Sequence, residues 1–77
     1  MKDGYYVMTP PGNKPSDFEG PFANSEQAID QLREFANEFV SPEMQHMVIV
    51  VCKDHRMDLY RDSNGNIVRL QRFMWGK

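Results

Sequence analysis

The chain has 77 residues, of which 40% are hydrophobic and 26% are charged, and its formal net charge at pH 7 is −2. This length and composition are those of one small soluble domain spanning residues 1–77, whose modest core leaves little room for a deep active site. They exclude a strongly basic module that binds nucleic acid through net charge alone.

The charges are unevenly distributed along the chain. Residues 1–45 carry eight acidic and three basic side chains, a sum of −5, whereas residues 46–77 carry three acidic and six basic ones, a sum of +3. We therefore expect surfaces of opposite sign on the fold. The single cysteine, Cys52, cannot form an intrachain disulfide, and no apolar run resembles a signal peptide or a membrane span. These features predict a cytoplasmic protein without a membrane partner.

The first predicted element is a strand over residues 4–9. Tyr5 and Tyr6 favour extended backbone, and Pro10 ends the strand. Residues 10–20 are rich in proline, glycine, asparagine and serine, which predicts a long loop.

A helix is predicted over residues 24–40. Asn24 is a favourable N-cap, and Gln27 stands three residues later, which gives a variant of the capping box. Pro42 disfavours helical backbone in the residue before it and so ends the helix. The apolar residues of this segment fall within an arc of about 140° on a helical wheel. They are Ala28, Ile29, Leu32, Phe35, Ala36, Phe39 and Val40.

Three further strands are predicted in the second half of the chain. Residues 47–53 are nearly all apolar, and residues 57–61 alternate between apolar and polar side chains. Residues 63–66 contain Asn-Gly, which favours a type I′ hairpin turn, and residues 67–74 form the returning strand. The predicted fold is α+β, with one helix packed on a small antiparallel sheet in the order β-α-β-β-β and a meander formed by the last three strands.

The residues that could carry metal or nucleophilic chemistry are few. Cys52 and His55 form a lone Cys-x-x-His pair, whereas a structural zinc site needs four ligands. Cys52 lies in an apolar strand, where a cysteine behaves as a small hydrophobe, and His46 adds no recognisable motif. We therefore expect a non-enzymatic protein with no catalytic residues, no metal and no cofactor.

Four carboxylates recur at strict four-residue intervals on the predicted helix, opposite its apolar arc. They are Glu26, Asp30, Glu34 and Glu38. Successive members lie about 6 Å apart along the helix axis, where like charges repel by a few tenths of a kcal/mol per pair. This acidic stripe is either a solvated helix face or a recognition surface for a partner with a basic groove.

A second candidate surface lies on the last predicted strands. Its residues are Arg61, Arg69, Arg72 and Trp75. Cations interleaved with aromatic rings are typical of single-stranded nucleic acid binding, so direct binding of nucleic acid is the alternative function. The ordinary interpretation is that these arginines pair with acids of the same domain while the aromatic rings close the core.

The segment of residues 19–28, which follows a Tyr-Tyr-Val strand, resembles a pattern found in short prokaryotic and phage proteins, where Gly-Pro-Phe leads into a capped helix. In general style the chain is also similar to phage-encoded inhibitors of the anti-CRISPR type. The resemblance implies a compact α+β unit that blocks a host protein or nucleoprotein complex by occupying one of its surfaces. The leading hypothesis is therefore a small inhibitor or adaptor that binds through the acidic stripe.

An open sheet edge is also expected in a domain of this size. Unpaired backbone groups at such an edge can pair with another chain. The sequence therefore leaves room for a homodimer formed edge to edge.

Overall fold

A computed structural model describes residues 1–38 and 46–70. The strands are β1 (Gly4–Met8), β2 (Phe18–Phe22), β3 (Val48–Lys53) and β4 (Arg56–Leu59), and the single described α-helix is α1 (Ser25–Glu38). The strands form one antiparallel sheet in the order β2-β1-β3-β4. The predicted α+β class, with one helix on a small antiparallel sheet, is confirmed.

The strand β2 lies partly in the segment that was predicted to be a loop. It pairs with β1 through Tyr5↔Phe22, Val7↔Glu19 and Met8↔Phe18, with a register shift between Tyr5 and Val7. Gly20 and Pro21 signal a turn in the sequence, yet an edge strand tolerates both at a bulge, because proline there loses no hydrogen bond to a second neighbour. The order thus begins β-β-α, and one strand of the sheet was missed.

The helix begins as the sequence predicts. The backbone N–H of Gln27 donates to Asn24 Oδ1 at 2.9 Å, and the Gln27 side chain accepts a hydrogen bond from the backbone N–H of Ala23 at 3.1 Å. The first of these bonds satisfies a donor that the first helical turn leaves without an intrahelical partner, and the second ties the residue before the cap to the helix. The predicted helix end at Val40 lies outside the described residues.

The core lies between α1 and one face of the sheet. Ala28 and Leu32 are fully buried against Val7 and Ile49, and Leu70 closes the same cluster. Because side chains alternate along a strand, Tyr6, Val50 and Cys52 point to the opposite face, where they form a smaller buried cluster. We call this side of the sheet, opposite α1, the second face.

Within the described residues, the chain after β4 turns back towards the start of β3. The backbone N–H of Leu70 donates to the Met47 carbonyl at 2.9 Å, and that of Ile49 donates to the Val68 carbonyl at 3.2 Å. Residues 68–70 therefore border the first part of β3, on the same side on which β4 borders the rest. The expected meander is present where Arg61 pairs antiparallel with Ile67, but the returning segment then continues along β3. Residues 71–74 of the predicted last strand lie outside the described residues.

A type I′ turn is present in the described residues, but in a different hairpin from the one for which the sequence predicted it. Asp54 and His55, between β3 and β4, both have positive φ, at 52° and 65°, as a two-residue type I′ turn requires. In the other hairpin, which Arg61 and Ile67 flank, Gly65 has a φ of 82° and its N–H donates to the Asp62 carbonyl at 2.9 Å. That arrangement is a type I turn followed by a left-handed glycine, so the predicted hairpin is present but its predicted turn type is wrong.

Replacing His55 with glycine should raise the free energy of unfolding by about 1 kcal/mol. Glycine avoids the cost of about 1–2 kcal/mol that an L residue bears in the left-handed region, although it gains freedom in the unfolded chain. Denaturant titration followed by circular dichroism measures the change. Ser63→Gly is the control: Ser63 is exposed in a turn and does not itself have a positive φ, so this substitution should lower stability. Loss of stability in both variants would contradict the turn geometry.

Candidate functional site

The acidic stripe lies on the solvent side of α1. Glu26, Asp30 and Glu34 are all exposed, whereas Ala28 and Leu32 on the other side of the helix have no exposed surface. The backbone of Glu38 continues α1, and its side chain lies outside the described part of the structure. The structure therefore places three of the four predicted carboxylates along one line on a helix that the core holds in position.

Within residues 1–38 and 46–70, one ion pair involves a carboxylate of the stripe. Arg33 Nη1 lies 3.9 Å from Asp30 Oδ1, and both side chains are largely exposed, at 59% and 74% respectively. An exposed pair at this distance is screened by water and changes the surface potential only modestly. Glu26 is favoured by the positive end of the helix dipole, whereas Glu34, in the second half of the helix, lacks that compensation. The stripe therefore remains a negatively charged surface.

The basic residues of the alternative hypothesis are partly described. Arg61 and Arg69 are both exposed. Arg61 Nη1 donates to the Gly65 carbonyl at 3.1 Å, which ties this guanidinium to its own hairpin. Arg69 is paired with Val48 and so lies on the second face. Arg72 and Trp75 lie outside the described residues.

The second face is a largely apolar surface. Met8, Phe18 and Val48 pack around the buried Tyr6, Val50 and Cys52, and the Tyr6 and Phe18 rings meet edge to face at 6.3 Å. The three large hydrophobic side chains that are exposed among the described residues are Met1, Met57 and Leu59, at 51%, 41% and 42%. Met57 and Leu59 are paired with Cys52 and Val50, so they extend this apolar surface to the edge of the sheet.

The N-terminal residues are hydrogen-bonded to the second face. The Tyr6 hydroxyl donates to the Lys2 carbonyl at 2.6 Å, and the Cys52 thiol lies 3.9 Å from the Met1 carbonyl. Burial raises the pKa of Tyr6 above its ordinary value of 10.0, with further contributions from Cys52 and Asp3. The phenol therefore keeps its proton, and can donate to the Lys2 carbonyl, to a higher pH than an exposed tyrosine does.

The residues considered for chemistry are placed in different environments. Cys52 is buried and free on the second face, whereas His55 is exposed at the tip of a hairpin and His46 is exposed just before β3. Within the described ranges, no three histidine, cysteine or acidic side chains are grouped so that they could hold a metal ion. A concavity of about 420 Å³ lies at one end of the second face, lined by Met1, Asn13, Lys14, Pro15 and Phe18.

Comparison with protein-family models, with curated proteins and with solved structures finds no match. No helix in the described ranges has the length and apolar character that crossing a membrane requires. The candidate surfaces therefore rest on the geometry of this chain alone: the acidic stripe on α1, the second face, and the strand β4 at its edge.

The strand β4 is more exposed than its sequence pattern indicates. The alternation of apolar and polar side chains predicts a strand with one face exposed to water, whereas all four residues of β4 are exposed. The signal that could have identified an edge is its composition, since Arg56, Met57 and Asp58 place charge on one face and a flexible apolar side chain on the other.

Proposed function

We propose that the protein is a small non-enzymatic inhibitor or adaptor whose acidic stripe binds a basic groove on a host protein or nucleoprotein complex. The observation that supports this proposal most directly is the position of Glu26, Asp30 and Glu34 on one exposed line of α1. The opposite side of the same helix is fixed in the core through Ala28 and Leu32. The carboxylates are thus presented on a rigid support, which lowers the entropy lost on binding.

The charge pattern suits a groove that has evolved for nucleic acid. Carboxylates about 6 Å apart along a helix roughly match the spacing of successive phosphates along a strand. A groove lined by arginine and lysine would attract this face over a distance of about one Debye length and accelerate the encounter. This mode of action is the one that the similarity to phage-encoded inhibitors implies, and it needs no reaction. A reducing, cytoplasmic setting fits the single free and buried cysteine, Cys52.

Reversing two charges of the stripe tests the proposal. Asp30→Lys with Glu34→Lys changes the net charge from −2 to +2, because each substitution adds two units. We expect the affinity for the partner to fall at least tenfold, since attraction to a basic groove becomes repulsion. The comparison uses both forms as bait in a cell extract, followed by mass spectrometry and by calorimetric titration of the protein recovered.

The matched control reverses two exposed carboxylates away from the stripe. Glu19→Lys with Asp54→Lys gives the same net charge of +2 and leaves Glu26, Asp30 and Glu34 unchanged, since Glu19 lies in β2 and Asp54 in the β3–β4 turn. This variant should bind as the wild type does apart from a small long-range effect. Equal loss of binding in both variants would mean that net charge matters rather than the stripe. Unchanged affinity of the stripe variant at low salt would remove the proposal.

Direct nucleic-acid binding through Arg61, Arg69, Arg72 and Trp75 is the competing hypothesis. It predicts an affinity for single-stranded DNA or RNA that falls steeply as salt rises, because phosphate contacts release counterions. A gel shift in low salt that shows no complex with the wild-type protein would exclude it.

A further inference from the structure

The strand β4 forms one edge of the sheet that the described residues build. The order β2-β1-β3-β4 gives it one neighbour, β3, and all four residues Arg56–Leu59 are exposed. A strand with one side open presents a row of N–H and C=O groups that another strand can pair with.

The outward-facing groups of β4 follow from its pairing with β3. The N–H of Tyr60 donates to the Ile49 carbonyl at 2.8 Å, in continuation of the register Val50↔Leu59. Because the direction of backbone groups alternates along an antiparallel strand, those of Arg56 and Asp58 also face β3. The N–H and C=O groups of Met57 and Leu59 consequently point away from the sheet.

The side chains of β4 divide by face in the same alternating way. Met57 is paired with Cys52, so it lies on the second face. Arg56 and Asp58 are paired with Lys53 and Val51 and lie on the α1 side, where these residues line a shallow concavity with Asp54. One face of the edge is therefore apolar, and the other carries one cation and one anion two residues apart.

We propose that two copies of this chain pair antiparallel through β4, about a two-fold axis at Met57. In this register Met57 exchanges two backbone hydrogen bonds with the second copy's Met57, and Arg56 lies directly opposite the second copy's Asp58. Two opposite-charge cross-strand pairs then flank one apolar pair, and the two second faces become continuous. An isologous contact of this kind closes as a dimer and leaves no further β4 edge open.

Charge complementarity selects this register over its neighbours. Residues opposite each other must lie on the same face of the sheet, so the neighbouring registers place the two-fold axis at Arg56 or at Asp58 instead of at Met57. An axis at Arg56 brings the Arg56 side chains of the two copies opposite each other, and an axis at Asp58 does the same for the two Asp58 side chains. Like charges directly opposite one another are unfavourable in both.

The other edge of the sheet is less suited to pairing. The strand β2 contains Pro21, which has no N–H, and its register shifts where Gly20 occurs. Proline and a bulge both interrupt the regular row of donors and acceptors that a second strand requires. The two edges therefore differ, and β4 is the one open to a second copy.

The test uses single charge changes and their mixture. In an Arg56→Asp dimer, both cross-strand pairs between positions 56 and 58 consist of two acidic side chains. In an Asp58→Arg dimer, both pairs consist of two arginines. Each variant should therefore self-associate at least tenfold more weakly than the wild type. In an equimolar mixture of the two variants, both cross-strand pairs become complementary again, so a mixed dimer should form. Both positions are exposed, so folding is preserved, which circular dichroism checks.

Sedimentation equilibrium over a concentration series up to millimolar chain measures the association. The expected result is a reversible wild-type dimer, two weakened variants and a dimer in their mixture. A wild-type chain that stays monomeric throughout would overturn the proposal. So would single variants that dimerise as the wild type does, or a mixture that dimerises no better than its components.

Discussion

Leu32→Ala should lower the free energy of unfolding by about 2–5 kcal/mol, the range for removing a fully buried leucine side chain. Leu32 has no exposed surface and lies in the cluster between α1 and the sheet. Its loss removes apolar burial and leaves a cavity, because the sheet beneath it cannot collapse fully into the space. Urea titration of the wild type and the variant, followed by circular dichroism, measures the difference.

Glu34→Ala is the control on the same helix, two residues further along. Glu34 is exposed, so its truncation should change stability by no more than about 0.5 kcal/mol. The pair tests whether one side of α1 holds the fold while the other is free for contact. A loss below about 1 kcal/mol for Leu32→Ala, or equal losses for the two variants, would contradict that division.

Gly20→Ala should lower the free energy of unfolding by about 2–3 kcal/mol, for two separate reasons. Gly20 has a φ of 145°, which L residues rarely adopt. A Cβ atom there would also lie 2.8 Å from the Tyr5 carbonyl oxygen and 2.9 Å from Tyr6 Cδ2. The backbone of β1 would have to move, which would disturb its pairing with β2. Denaturant titration again measures the loss.

Gly65→Ala separates the two causes. Gly65 also has positive φ, at 82°, but nothing lies within 4 Å of the position a Cβ would take. Its substitution should therefore cost only the conformational penalty of about 1 kcal/mol. If Gly20→Ala lowers the free energy of unfolding by no more than Gly65→Ala does, the close contact between Gly20 of β2 and the residues of β1 is contradicted.

Local patterns were sufficient to predict the helix and most of the strands. The Asn24 cap, the apolar arc and the apolar run of β3 each concern residues close in sequence, and short-range preferences decide such elements. The stripe was predictable for the same reason, because helical periodicity alone places Glu26, Asp30 and Glu34 opposite the core residues.

The remaining features depend on contacts between distant residues. Gly20 and Pro21 form a strand only because β1 offers a partner, and pairing overrides their turn preference. The type I′ turn occurs at Asp54-His55 because only two residues connect β3 and β4, and the twist of the two strands requires that geometry. Asn-Gly favours a type I′ turn more strongly than Asp-His does, but in this chain Asn-Gly lies in a longer loop. The second face could not be predicted, since it follows from the order of the strands. For the edge position of β4, the composition of Arg56–Leu59 is the one local signal that the sequence contains.

The most direct test of the acidic stripe as a binding surface is a comparison of three baits in one cell extract. They are the wild type, the stripe variant with Asp30→Lys and Glu34→Lys, and the control with Glu19→Lys and Asp54→Lys, each washed at low and at physiological salt. The proposal predicts a protein that the wild type and the control retain, that the stripe variant loses, and that salt weakens. Retention of the same proteins in the same amounts by all three baits would contradict it.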